Sequence, residues 1–225
     1  MTAAERALET IEDGHVVGLG TGRAATDFVR RLGERVQQGL RIKGVATSEV
    51  TAQLAAQLSI PLVTLEEATR LDVTVDGADE VDPNLDAIKG YGGALVREKI
   101  VAASSDRLIL LVGPEKLVGQ LGARGRLPVE IVPFGWSLAA RRLSALGMKP
   151  EQRLHHGQVY VTDNGNYILD CGTPAIESPA KLEREIHSIP GVVDTGLFLG
   201  MTDTVLIQGS EGVEERRRPR TAASP

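Results

Sequence analysis

From residue 3 to residue 127 short apolar runs alternate with amphipathic stripes, and that alternation leaves few folds open. Ala3, Ala7, Leu8 and Ile11 share one helical face, and "HVVGLG" follows as a short buried strand. "RAATDFVRRLGERVQQ" sets Ala25, Phe28, Val29, Leu32 and Val36 on one stripe, so a helix opens directly behind Gly20, Thr21 and Gly22. "IKGVAT" predicts a second strand, "SEVTAQLAAQLS" the next helix, "PLVTL" a third strand and "LDVTVDGADE" a fourth. "GALVREKIVAAS" predicts a helix, "RLILLV" a wholly apolar strand, and "PEKLVGQLG" a short helix with Pro114 at its first position. Strands separated by helices pair in parallel, with the helices covering both faces of the sheet.

Behind Leu127 the pattern changes. "LPVEIVPFG", "KPEQRL", "QVYVTDNGNYILDC" and "SPAKLEREIHSIPG" read as strand, strand, hairpin and helix, a small α+β unit with "DNGN" as its hairpin turn. "VVDTGLFLG" and "DTVLIQG" read as strands returning to the first unit. The expected organisation is an α/β sheet domain over 1–126 and 199–212, with a smaller α+β domain over 127–198 inserted into it. The tail, 213–225, is expected to be disordered, because "EGVEERRRPRTAASP" mixes acids, arginines and prolines without a core face.

Charge and composition narrow the function. A net charge of −5 and only 3% aromatic residues oppose a nucleic-acid groove, which needs a basic face and stacking rings. The single cysteine, Cys171, excludes an internal disulfide, and no apolar run approaches the roughly 20 residues of a membrane span. The N-terminus is a charged amphipathic helix and not a secretory signal, so a cytoplasmic location is expected. His155 and His156 fall in a predicted turn, and neither they nor His15 and His187 receive a role.

The stretch "DGADEVDPNLDAIKGYGG", residues 76 to 93, sets Asp76, Asp79, Glu80, Asp82 and Asp86 ahead of Lys89. A calcium loop starting at Asp82 fails: Ala87 stands where that loop needs glycine, and Gly93 where it needs a bidentate glutamate. A solvated acidic turn would suit the composition alone. Position favours a site, because Asp76 follows "VTV" at the carboxyl end of a predicted parallel strand, the edge where open α/β sheets bind ligands.

In "GLGTGRAA", Gly20, Gly22 and Ala25 fit a loose dinucleotide fingerprint, but Thr47 and Ser48 stand where an acidic ribose ligand is needed. A small-residue loop at a helix N-terminus still suits a phosphate, with the Thr21 hydroxyl and the Arg23 guanidinium beside it. Glu98 lies in a helix only a few residues beyond Lys89, and desolvation there would raise its pKa and make it a base.

Taken together, "GLGTG", "ATSEVT", "DVTVDGADEVD", "IKGYGGALVREKIVA", "KLV", "LPVEIVPF", "TDNGNYILD" and "GVVDTGLFLG" resemble the type A family of ribose-5-phosphate isomerases in order and spacing. The resemblance implies a Rossmann-like parallel-sheet domain with a smaller inserted α+β, ferredoxin-like domain. It also implies interconversion of ribose 5-phosphate and ribulose 5-phosphate through an enediolate, without metal or organic cofactor, by a homodimer or dimer of dimers. Its implied base is Glu98; Asp76 and Asp79 would handle ring opening and hydroxyl protons, Lys89 would stabilise the enediolate oxygen, and the remaining acids of the motif would be surface groups. The substrate would be held by Thr21, Gly22, Arg23, Ala24, Gly77, Ala78, Gly90, Tyr91, Gly92 and Lys116.

Three departures stand out. Arg23 and Ala24 replace the family's Ser and Thr; Arg6 is the early basic residue where the family often has a lysine; and Tyr91 and Gly93 interrupt "KGGGAA". Arg23 and Lys116 are then the expected source of phosphate charge. The rival readings are another sugar-phosphate enzyme on the same fold and a sugar-phosphate-sensing regulatory module. Joint retention of Asp76, Asp79, Lys89 and Glu98 favours the enzyme, since a sensor needs no proton-transfer set.

Overall fold

The computed structural model describes residues 1–219. The first part of the chain runs α1 (Ala3–Leu8), β1 (Val16–Leu19), α2 (Arg23–Gln37), β2 (Lys43–Ala46), α3 (Glu49–Gln57), β3 (Val73–Gly77), β4 (Glu80–Val81), β5 (Ala87–Ile88), α4 (Leu95–Ala103) and β6 (Leu108–Val112). The middle runs β7 (Arg126–Ile131), α5 (Trp136–Ala145), β8 (Lys149–Gln152), β9 (Leu154–His155), β10 (Gln158–Val159), β11 (Tyr167–Gly172), α6 (Pro179–His187) and β12 (Val192–Thr195). The chain then returns through β13 (Leu197–Phe198), β14 (Thr204–Gln208) and β15 (Val213–Arg217).

The large sheet has the order β15-β14-β6-β3-β1-β2, parallel throughout except for β15. Both faces are covered. Val17, Leu19, Val75, Ile109 and Leu111 pack with α1 and α2 on one side, while Leu108, Leu110 and Val112 pack with Phe198 and Ala102 on the other. Helices on both faces are why β6 is buried along its whole length. The order of the parallel strands reverses between β1 and β3, and a crevice opens beyond their carboxyl ends at such a point.

The inserted unit is a separate antiparallel sheet, β12-β7-β11-β8, with α5 and α6 packed on it around Leu127, Val129, Ile131, Leu143, Leu169 and Ile186. Its succession β7-α5-β8-β11-α6-β12 is the split βαβ arrangement of ferredoxin-like units.

Several sequence expectations are corrected. "PLVTL" forms no strand; Pro61 and Val63 only exchange hydrogen bonds with Gly44 at the sheet edge, and Pro61 has no N–H to extend the ladder. The "DNGN" turn forms, with Thr162 N–H donating to Asn166 O at 2.9 Å, but the run before it pairs back onto β9. Only Val161 bridges to Tyr167 of β11; Val159 and Val161 are exposed, so a longer pairing would bury nothing. α5 was not expected, although Trp136, Ala139, Ala140 and Leu143 have helical spacing.

Within "VVDTGLFLG", β12 stays in the inserted sheet and only β13 crosses back, to pair with β5. The tail is an ordered edge strand over Val213–Arg217, where Arg216 and Arg217 pair with Glu214 and Glu215, and Arg218 reaches Asp86 at 2.8 Å. Residues 220–225 of the expected disordered tail lie outside the described residues. No helix among the described residues is long and apolar enough to cross a membrane.

Candidate active site

β3 ends in Asp76 and Gly77, and its neighbour β1 ends at Leu19, so the loops leaving both strands meet at the strand-order reversal. Asp76 is buried and accepts hydrogen bonds from Thr21 N–H (3.1 Å) and Gly77 N–H (2.7 Å). A side chain at Gly20 would overlap the Asp76 carboxyl group, which is why the turn after β1 needs glycine there. Thr21 Oγ1 lies 2.8 Å from the hydroxyls of both Thr47 and Ser48, so the phosphate-type loop is pinned by a hydroxyl cluster.

Lys89 arrives from β5, with its N–H bonded to Gly196 O at 2.9 Å. Its Nζ donates to Gly77 O (2.6 Å) and lies 3.0 Å from Asp76 Oδ2 and 3.3 Å from Glu98 Oε2. Asp76, Lys89 and Glu98 are each no more than 3% exposed. Glu98 stands in the first turn of α4, and its Oε2 has the lysine's charge nearby but no hydrogen bond.

Burial pushes the Glu98 carboxyl up to about 8; Lys89 pulls against this and Asp76 adds to it. Burial likewise raises the Asp76 pKa against the pull of Lys89. Burial works against the Lys89 ammonium, but Asp76 and then Glu98 outweigh it and hold its pKa above the usual lysine value. One cation crowded by two buried carboxylates can hold an anion and exchange a proton.

A cavity of about 560 Å³ opens over this cluster, a volume suited to a small metabolite. Lys89, Glu98 and Asp79 line it, together with the predicted Thr21, Gly22, Arg23 and Ala24 of the first loop. Gly77, Ala78, Gly90, Gly92 and Lys116 complete the predicted set on its wall.

Two predicted residues stand elsewhere. Asp76 lies behind Lys89 and does not line the cavity. The Tyr91 side chain turns to the inserted unit, where its hydroxyl donates to Arg126 O (3.1 Å) and its ring lies 3.9 Å from the Arg126 guanidinium carbon; only its N–H serves the site, donating to Asp79 Oδ2 at 3.0 Å.

The remaining acids of the motif are not simple surface groups. Glu80 is fully buried and accepts from Gly122 and Arg124 N–H; Asp82 accepts from Asn84 and Asp86 N–H; Asp86 accepts from Gly200 N–H and Arg218.

The family model of ribose 5-phosphate isomerase A (phosphoriboisomerase A) matches residues 43–212. The ribose-5-phosphate isomerase A of Gloeobacter violaceus is 55% identical over 95% of this chain and 93% of its own. The chain belongs to the ribose 5-phosphate isomerase A family. Among solved members, the enzyme of Methanocaldococcus jannaschii is 40% identical with a TM-score of 0.92, covering 96% of each chain. A D-ribose-5-phosphate isomerase in complex with phospho-erythronic acid is 41% identical with a TM-score of 0.93, again over 96% of each.

In this member of the isomerase family the cavity has further walls that its motifs do not announce. Val112 and Gly113 come from the carboxyl end of β6, Gln208 from β14, and Thr2 and Asp27 from the helices nearby. The topological rule that pointed to Asp76 applies equally to "LLVG", the available signal for Val112 and Gly113.

Proposed function

We propose that this chain interconverts D-ribose 5-phosphate and D-ribulose 5-phosphate by proton transfer, with Glu98 as the carbon base. Glu98 takes the C2 proton of the open-chain aldose, and the electron pair moves through C1 onto the carbonyl oxygen. Lys89 faces that oxygen and stabilises the enediolate. The C2 hydroxyl proton passes to O1, and protonated Glu98 returns its proton to C1, which leaves the ketose. Every atom and electron stays within the sugar, so the reaction needs no external carrier.

The observation that carries this reading is the buried Glu98 carboxylate on the cavity wall, whose Oε2 lies 3.3 Å from the Lys89 ammonium and accepts no hydrogen bond. Asp79, also on that wall, is assigned the hydroxyl and ring-opening protons. Asp76 is assigned a different part from the one the resemblance implies: it orients and charges Lys89 from behind. The phosphate is assigned to the N-terminus of α2, with Arg23 and Lys116 supplying charge where the family has hydroxyls. The phosphorylated acid held by one relative supports a sugar-phosphate ligand of this shape.

The deciding experiment follows ketose formation from ribose 5-phosphate by EDTA-treated protein beside Glu98→Gln. Turnover is expected to persist without metal and to fall at least ~100-fold in the variant. Equal turnover in both proteins sinks the assignment of the base. Arg23→Ala is expected to raise KM with little change in kcat, and an unchanged KM removes Arg23 from the phosphate site.

A further inference from the structure

We propose that Arg153, which belongs to the inserted unit and not to the sheet carrying the reacting groups, is a positioning residue that fixes the peptides after Lys89 and so sets the lysine's reach into the cavity. The inference rests on the isomerase reading above and extends it to the second unit.

The guanidinium of Arg153 works in two directions at once. Nε and Nη2 grip Asp170 at 2.9 and 2.5 Å, while Nη1 donates to Gly90 O at 2.9 Å and to Tyr91 O at 3.2 Å. Its own backbone is fixed, since Arg153 N–H donates to Ile168 O and its carbonyl accepts from Tyr160 N–H. The side chain is only 10% exposed, so these are shielded, charge-assisted bonds.

The carbonyls it holds sit at a sensitive place. Gly90 directly follows Lys89 and has φ +104°, in the left-handed region, and Gly92 and Gly93 follow it. Unrestrained glycines sample many backbone states, and each would swing Lys89 differently. Tyr91 N–H also holds the Asp79 carboxylate, so one pair of peptides serves both the anion-stabilising lysine and the hydroxyl-facing acid. A lysine at position 153 keeps the charge but cannot fork between Asp170 and the carbonyls.

The test compares wild type, Arg153→Ala, Arg153→Lys and Asp170→Asn on ribose 5-phosphate, with kcat, KM, the pH profile and thermal unfolding measured for each. Arg153→Ala is expected to lose ~10- to 100-fold in kcat, the scale of a misplacement near 1 Å, with a smaller change in KM. The acid limb of kcat/KM should move to higher pH, because Glu98 is faced by Lys89, Asp76 and Asp79, and a displaced Lys89 leaves it among carboxylates. Arg153→Lys should not recover kcat, whereas added guanidinium should restore part of it in Arg153→Ala.

If Arg153→Ala does not fold, Asp170→Asn carries the test. It keeps the guanidinium but loosens its grip, and the same upward shift of the acid limb is expected. Folded variants with wild-type kcat and an unmoved acid limb overturn the positioning role, as does an activity loss that only follows the folded fraction. Wild type without turnover overturns the isomerase reading itself, a result distinct from either.

Discussion

Glu98 and Lys99 are neighbours on α4 and enter two clusters of nearly the same composition. Glu98 joins Lys89 and Asp76; Lys99 joins Asp194 at 2.5 Å and Glu183 at 3.6 Å, with His187 3.4 Å from Asp194. The two lysines even share Phe198, whose ring centroid lies 5.4 Å from Lys89 Nζ and 5.2 Å from Lys99 Nζ.

What separates them is water and satisfaction. In the second cluster Lys99 also donates to Thr195 O, Asp194 also accepts Thr195 N–H, and His187 is 40% exposed, so charge is met by bonds and solvent. In the first, all three charged side chains are nearly fully buried and Glu98 Oε2 is left without a hydrogen bond. Glu183, His187 and Asp194 have the spacing of metal ligands, but the Lys99 ammonium already pairs with two of them, Glu183 and Asp194. Residue type is therefore a poor guide to reactivity here; burial with an unmet bond is the better one.

The sharpest way to break this contrast is Lys89→Met. Losing the buried cation should lower kcat ~10²- to 10³-fold, the scale of one missing oxyanion donor. Steady-state kinetics on folded variant decide it, and a loss below tenfold would place Lys89 with Lys99 among structural cations.

The pH response comes next. Glu98 must be ionised to act, so kcat/KM should rise through pH about 8, the value burial imposes, and not near 4.5, the ordinary glutamate value. Because the folded pKa is raised, Glu98 contributes stability fully below about 4.5 that is lost as pH rises through about 8. Glu98→Gln should remove that slope from thermal unfolding. An acid limb at an ordinary glutamate pKa would mean the pocket is wetter than its geometry implies.

The smallest effect belongs to Lys99→Met. Its partly buried bonds should cost about 1–3 kcal/mol of stability, while kcat per folded molecule stays within about threefold. A kcat loss as large as that of Lys89→Met would erase the distinction between the clusters.

How much of this was legible depended on whether a feature was local. Helix α2 and strand β6 follow from periodicity, and Asp76 from its place after "VTV" at the strand end. Glu98, Lys89 and the "GTG" loop were legible as a set because their motifs follow one another at the family's spacing. The fates of Glu80 and Tyr91 were not. Glu80 is buried because the chain at 122–124 folds over it, and Tyr91 turns away because Arg126 offers it a cation to stack on. Those partners lie tens of residues away, beyond any window in which spacing carries information. β15 was misread for a related reason: an edge strand needs little apolar face when its backbone is paired by β14 and its charges by one another.

The hydrogen bond from Lys89 N–H to Gly196 O bears on how the protein comes into being. A ribosome delivers Lys89 before the entire inserted unit and Gly196 after it; β14, which pairs with β6, comes later still. Long-range pairings of this kind, antiparallel for β13 with β5 and parallel for β14 with β6, close slowly, because the entropy of the intervening loop must be overcome first. An emerging chain therefore carries Asp76, Asp79, Lys89 and Glu98 once residue 98 is made, and yet lacks Lys116, Arg153 and the later strands that organise them. Catalytic competence is expected to wait on strands made after the inserted unit, and a product truncated before Gly196 to be inert rather than half-active.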